Sequence, residues 1–207
     1  MKHTLLITTA LIITALMLIV GCSKPIDDET LIGEEGLKYH PETKELYSGD
    51  VFKNYLGGKT EYEGSYKDGK RDGLWTWWYE NGQKKSEGKF EDDKKDDLWK
   101  DYYENGQLQE ERHYKEGKYE GLWRRYFDNG ILSIKGNYKD DKQDGFWKSY
   151  YDNGQLYLDR IYKDGKLEGF WKSYYDNGQL KYEWNYKEGE LISQECWDED
   201  GNEKECN

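Results

Sequence analysis

Five tryptophans, Trp75, Trp99, Trp123, Trp147 and Trp171, recur at intervals of 24 residues, and this period constrains the fold more than any other feature of the chain. Each follows a Leu or Phe (Leu74, Leu98, Leu122, Phe146, Phe170). Six residues after each comes Asn-Gly, at Asn81-Gly82, Asn105-Gly106, Asn129-Gly130, Asn153-Gly154 and Asn177-Gly178. An aromatic closes each period at Tyr66, Phe90, Tyr114, Tyr138, Tyr162 and Tyr186. Asn-Gly interrupts each 24-residue unit, which disfavours a helix, and strand-forming residues dominate between the turns. Each unit therefore reads as a β-hairpin. In the last one Phe170 to Tyr175 is a strand, Asp176-Asn177-Gly178 a turn, Gln179 to Tyr186 the return strand, and Lys187-Glu188-Gly189 the link onward.

Asn-Gly tolerates positive φ and predicts a two-residue type I′ loop. That register sets Trp75 opposite Gly88, Trp123 opposite Gly136, Tyr151 opposite Leu156 and Trp171 opposite Trp184. A ring over a bare glycine would then repair the weak point that glycine makes in a strand. A three-residue loop ending in a bulge glycine would slip the pairing by one. One face carries Trp, Tyr and Leu; the other mixes Leu or Phe with Lys and Tyr. The expected fold is all-β: an open single-layer antiparallel meander of tandem 24-residue hairpin repeats, after an N-terminal signal peptide.

Composition supports a thin, exposed sheet. Charged residues make up 36 % of the chain and hydrophobic ones 35 %, a balance that would favour disorder without the 20 Tyr and 9 Trp. The net charge of −12, with Lys and Arg scattered among acids, argues against a nucleic-acid partner.

Met1-Lys2-His3 and the apolar stretch from Leu5 to Val20 have the form of a signal peptide, too short for a full bilayer span. The stretch ends in Ile19-Val20-Gly21-Cys22, which resembles a bacterial lipobox. That resemblance implies cleavage before Cys22 and a lipid anchor on its sulfur; the alternative is an uncleaved anchor helix with an incidental Cys. Ser23 resembles the type sorted to an outer membrane, where the cell has one. Residues 1–21 are thus expected to be a lipoprotein signal peptide, 22–36 a flexible tether and 37–207 the repeat domain.

The string Tyr-Lys-Asp-Gly-Lys-x-x-Gly-x-Trp-x-x-Tyr-Tyr-x-Asn-Gly-Gln runs in full from Tyr162 to Gln179 and, with Trp78 in place of the first of the paired tyrosines, from Tyr66 to Gln83. It resembles the MORN repeat variant of bacterial proteins, including the YwqK-type antitoxin family. The likeness extends over roughly Tyr62 to Tyr186 and implies a hairpin array that contacts other proteins or neutralises a toxin. The second unit departs from the pattern, with Asp93 and Asp97 where the first has Gly69 and Gly73, and a looser turn is expected there.

No P-loop, dinucleotide motif, nucleophile elbow or metal-ligand spacing stands out, so the expectation is a non-enzymatic protein with no catalytic residues, cofactor or metal. Cys196 and Cys206 flank Asp200-Gly201, where a hairpin would bring them face to face; an exported chain would oxidise them to a disulfide capping the array, free thiols being the alternative. Tryptophans that recur in every unit read as structural. Trp77, Trp78 and Trp184 do not recur and read as candidate partner contacts. The expected function is an envelope-anchored scaffold for protein–protein interaction, with an antitoxin or immunity protein as the alternative. Its partners would be an unidentified protein and the membrane, through Cys22.

Overall fold

The computed structural model describes residues 24–206, so the expected signal peptide and Cys22 lie outside the described residues. Its body is one 17-stranded sheet. The long strands are Gly49–Asn54, Thr60–Lys67, Gly73–Trp78, Lys84–Glu91, Lys94–Tyr102, Leu108–Lys115, Lys118–Tyr126, Leu132–Lys139, Gly145–Tyr150, Leu156–Lys163, Lys166–Tyr174, Leu180–Lys187 and Glu190–Trp197. Each pairs antiparallel with the next, which makes the sheet an open meander in chain order. Ile26–Asp27 adds in parallel beside Gly49–Asn54 at one edge. At the other, Glu203–Lys204 covers only the end of Glu190–Trp197, and the disulfide between Cys196 and Cys206 (Cα–Cα 5.4 Å) closes that small hairpin.

The two turns of each unit differ, and they reverse the expected chemistry. The type I′ loops are the links between units. In Asp68-Gly69, Asp92-Asp93, Glu116-Gly117, Asp140-Asp141, Asp164-Gly165 and Glu188-Gly189 both residues have positive φ. At the Asn-Gly turns only the glycine does, as at Gly154 with φ 85°. There Gly154 N–H donates to Tyr151 O at 2.9 Å and Tyr151 N–H to Gln155 O at 2.8 Å, a type I turn closed by a bulge glycine.

That turn slips the pairing by one, so that Leu156 faces Tyr150 rather than Tyr151. One extra residue on the return strand, Tyr157, slips it back before Ser149 meets Leu158. The two shifts cancel. Trp75 pairs with Gly88, Trp123 with Gly136 and Trp171 with Trp184, the register the two-residue loop predicts, reached by a different route.

The second unit's link is no looser than the others. Asp93 takes φ 65° and donates its N–H to Arg71 O at 3.0 Å, as Gly69 does to Tyr47 O at 2.8 Å. The Asp93 carboxylate also accepts from Arg71 N at 3.1 Å and Nε at 2.8 Å, which offsets the strain a non-glycine residue brings to this conformation.

The segment expected to be a tether is folded from Ile26 onward. Asp28–Thr30 forms one turn of 3-10 helix, and Ile32–Glu34 pairs with Leu37–Tyr39 in a small second sheet. Leu31 is buried, and the buried Asp28 carboxylate accepts from Tyr62 Oη at 2.6 Å and Lys38 Nζ at 3.2 Å. A polar, acidic composition hides this fold because the acid is used as a buried acceptor. Burial, reinforced by that hydrogen bond to Asp28, pushes the Tyr62 hydroxyl well above the usual phenol range.

Neighbouring hairpins are stapled at the Asn-Gly end. Tyr79 Oη donates to Tyr102 O at 2.8 Å, Tyr103 to Tyr126 O at 2.7 Å and Tyr151 to Tyr174 O at 2.8 Å. The turn asparagine works in both directions: Asn81 Oδ1 accepts from Gln83 N–H at 2.8 Å, and its Nδ2 donates to Glu104 O at 2.9 Å in the next unit. Phe127 occupies the equivalent position in its unit and has no hydroxyl with which to make the bond to the next hairpin. Phe127→Tyr is therefore expected to stabilise the array by about 0.5–1.5 kcal/mol and Tyr103→Phe to destabilise it by a similar amount, measured by urea unfolding. Equal midpoints for all three proteins would show that these staples carry no net stability.

Candidate functional site

A single layer has to build its core on one face, and here a row of indoles does it. Across the strands run Val51, Gly64, Trp75, Gly88, Trp99, Arg112, Trp123, Gly136, Trp147, Arg160, Trp171 and Trp184. Where glycine precedes the tryptophan in this row, the ring lies flat over it. A methyl group on Gly64, Gly88 or Gly136 would overlap Trp75, Trp99 or Trp147 respectively. In that pose each indole N–H reaches a strand carbonyl: Ser65 O at 3.1 Å, Lys89 O at 3.0 Å and Asn137 O at 3.1 Å. These rings are 3 %, 2 % and 2 % exposed. Tyr66, Phe90 and Tyr138 close over them edge to face, with centroids 5.3, 4.9 and 5.1 Å away.

Arg112 and Arg160 take the glycine position ahead of Trp123 and Trp171, and those two rings are only half-buried. Trp123 instead donates to the Glu110 carboxylate, within a cluster in which Arg112 also pairs with Asp101. The indole N–H of Trp171 has no partner among the described residues. Aromatic rescue of glycine is thus present with its direction corrected. Trp99, not Trp75, covers Gly88, and Trp147, not Trp123, covers Gly136. Lys95 lies 4.0 Å from the Trp99 ring centroid; burial, with Arg112 and Arg71 nearby, holds its ammonium below the usual lysine range.

The three expected contact residues do not form one site. Trp77 stacks on Trp75 at 5.7 Å and packs against Trp99 at 5.8 Å, which makes it part of the core rather than a free anchor. Trp78 points to the opposite face, is half-buried, and its carbonyl accepts the Tyr55 hydroxyl at 2.7 Å. Trp184 stacks on Tyr182 at 4.6 Å and meets Trp171 edge to face at 5.3 Å, nine strands from Trp77 and so roughly 40 Å away. Recurrence along the chain says nothing about which side chain lies across the strand, and that neighbour decides the burial.

The face behind the indoles is open. Leu74 and Phe146 are 64 % and 59 % exposed, and Leu98, Leu122 and Phe170 are half-buried on the same side. Beside them a charged row crosses the sheet: Glu87, Lys100, Glu111, Arg124, Lys135, Lys148, Asp159, Lys172 and Glu183, each directly opposite the next. Arg124 reaches Glu111 at 3.1 Å, Lys148 pairs with Asp159, and Lys172 reaches Glu183 at 2.9 Å. The hydrogen bond that Lys172 donates to the Glu183 carboxylate holds its ammonium above the ordinary range. The period and the register together are the sequence signal that locates this row. Among the described residues no group of three or more His, Cys, Asp or Glu side chains is placed to hold a metal ion.

The contrast between buried and half-buried indoles is testable. Trp147→Ala is expected to cost about 3–5 kcal/mol and Trp123→Ala roughly half as much. Urea unfolding followed by circular dichroism checks the order. Equal losses would mean that the residue ahead of each ring does not control its contribution.

The matches to known families follow the same units. The MORN repeat variant family matches at residues 71–92, 98–116, 119–140, 143–164 and 167–188, together just over half of the chain. The second match is the shortest and begins after Asp97, where the sequence departs from the repeat. No curated protein matches the chain. With hairpins, indole row and link turns repeating in step with those matches, the chain belongs to the MORN repeat variant family.

Proposed function

We propose that the chain is a non-enzymatic scaffold, held in the cell envelope by lipid on Cys22, whose open face binds a protein partner. The apolar row Leu74, Leu98, Leu122, Phe146 and Phe170 carries this reading: it repeats with the period, yet it points away from the packed indoles and leaves large side chains in solvent. At about 4.8 Å per strand the row repeats roughly every 10 Å over some 40 Å, a contact line suited to an elongated partner. Apolar centres with charged surrounds are the usual make-up of a protein interface.

The anchor fits the same picture. Ile26 already pairs with the sheet, and the four peptide steps from Cys22 to Ile26 span at most about 14 Å, so a lipidated chain would hold its first hairpin close to the membrane. Ser23 favours the outer membrane where one exists. The resemblance of the repeats to the YwqK-type antitoxin family favours an alternative, an antitoxin or immunity protein, in which the partner on this face is a toxin.

Two outcomes test the reading. Cys22→Ala should leave the precursor uncut and free of acyl label, and undiminished labelling would overturn the anchor. A photo-crosslinker at Phe146 should give a discrete protein adduct in living cells, while one at the exposed Asn-Gly turn residue Asp152 should not. No adduct at Phe146, or the same adducts at both positions, would overturn the scaffold.

A further inference from the structure

Every step of the charged row on the open face sets unlike charges opposite each other, except at Lys135. That residue lies directly between Arg124 and Lys148. Like charges directly opposite one another destabilise a sheet. Nor does the chain lack carboxylates, since its net charge is −12. Arg124 and Lys148 have Glu111 and Asp159 as counterions. Lys135 has no carboxylate partner among the described residues, and its ammonium lies 5.9 Å from the Tyr150 ring centroid. All three cations open onto one shallow depression, whose other walls include Leu122, Leu132 and the exposed Phe146.

We propose that Arg124, Lys135 and Lys148 form a recognition point for a single carboxylate on a protein partner, an Asp or Glu side chain beside an apolar residue that packs on Phe146 and Leu122. This rests on the scaffold reading and names the chemistry of its partner. With two of the cations already paired, one positive charge is left uncompensated, which suits one carboxylate set in an apolar surround. A polyanion would meet the acidic remainder of the molecule and be repelled. Charge-assisted contacts from lysine and arginine supply the affinity, and the apolar walls exclude water from them.

Lys135→Glu separates function from fold, because it restores strict alternation along the row. It should raise the melting temperature of the exported protein and weaken recognition. The probes are a fluorescent peptide of alternating Glu and Phe, the same peptide with Gln for Glu, phosphatidylglycerol vesicles and a short DNA duplex. Wild type should bind the Glu peptide in a salt-sensitive, saturable way, and Lys135→Glu should weaken this by about tenfold or more. The Gln peptide should not distinguish the two proteins. Three results would overturn the proposal: equal binding of the Glu peptide by both proteins, preference of the wild type for vesicles or DNA over the peptide, or a lower melting temperature for Lys135→Glu. A Phe146 crosslink unchanged by Lys135→Glu would remove this site and leave the scaffold standing. Absence of the crosslink in the wild type removes the scaffold itself.

Discussion

An indole lying flat across a glycine of the preceding strand is the contact on which this sheet depends. A single layer has no second layer to cover its apolar face, and most folds solve that problem with helices or another sheet. Here the solution lies within the layer. Gly64, Gly88 and Gly136 clear the space that Trp75, Trp99 and Trp147 fill, and the rings then bond to strand carbonyls and collect Tyr66, Phe90 and Tyr138 over their edges. The packing is lateral, from one hairpin to the next, as are the tyrosine and asparagine staples at the turn end. Stability in such an array is a sum of local terms and nearest-neighbour terms, and both kinds of contact belong to the second.

Because one face supplies the core, the other is left free. That division allows Leu74 and Phe146 to stay in solvent and lets a charged row form across the strands behind the indoles. The Arg112 and Arg160 positions show the limits of the device: without glycine the following ring loses part of its cover, and the arginine has to be held by Asp101 and Glu110 or by Ser149 Oγ at 3.1 Å. Repeats that look alike in sequence therefore differ in strength along the array.

Much of this fold is legible in the amino-acid sequence. The 24-residue recurrence of Trp with Asn-Gly identifies hairpins, and alternation within strands identifies the faces. The turn types are not legible in the same way, because Asn supplies Oδ1 and Nδ2 as hydrogen-bonding groups rather than a positive φ; positive φ falls to the Asp-Gly, Glu-Gly and Asp-Asp links. The register nonetheless matches the expected one because a bulge glycine and one extra residue on the return strand cancel. Lack of recurrence singles out Trp77 as a contact, but its environment is set across strands by Trp75 and Trp99. Residues 26–36 have the acid and glycine content of a tether, while the decisive fact is that Asp28 meets Tyr62 over a long sequence separation.

The stability of the sheet rests most heavily on the indole over glycine, and Gly136→Ala tests this directly. In a strand, Ala is ordinarily more stable than Gly by about 0.5–1 kcal/mol, and the backbone at Gly136 does not require glycine. If the Trp147 ring needs the bare Cα, the added methyl displaces it, and urea unfolding should show a loss of about 1–3 kcal/mol. Trp147 fluorescence should shift towards that of a solvated indole at the same time. A variant as stable as the wild type or more so, with unchanged fluorescence, would contradict the claim that this contact holds the sheet together.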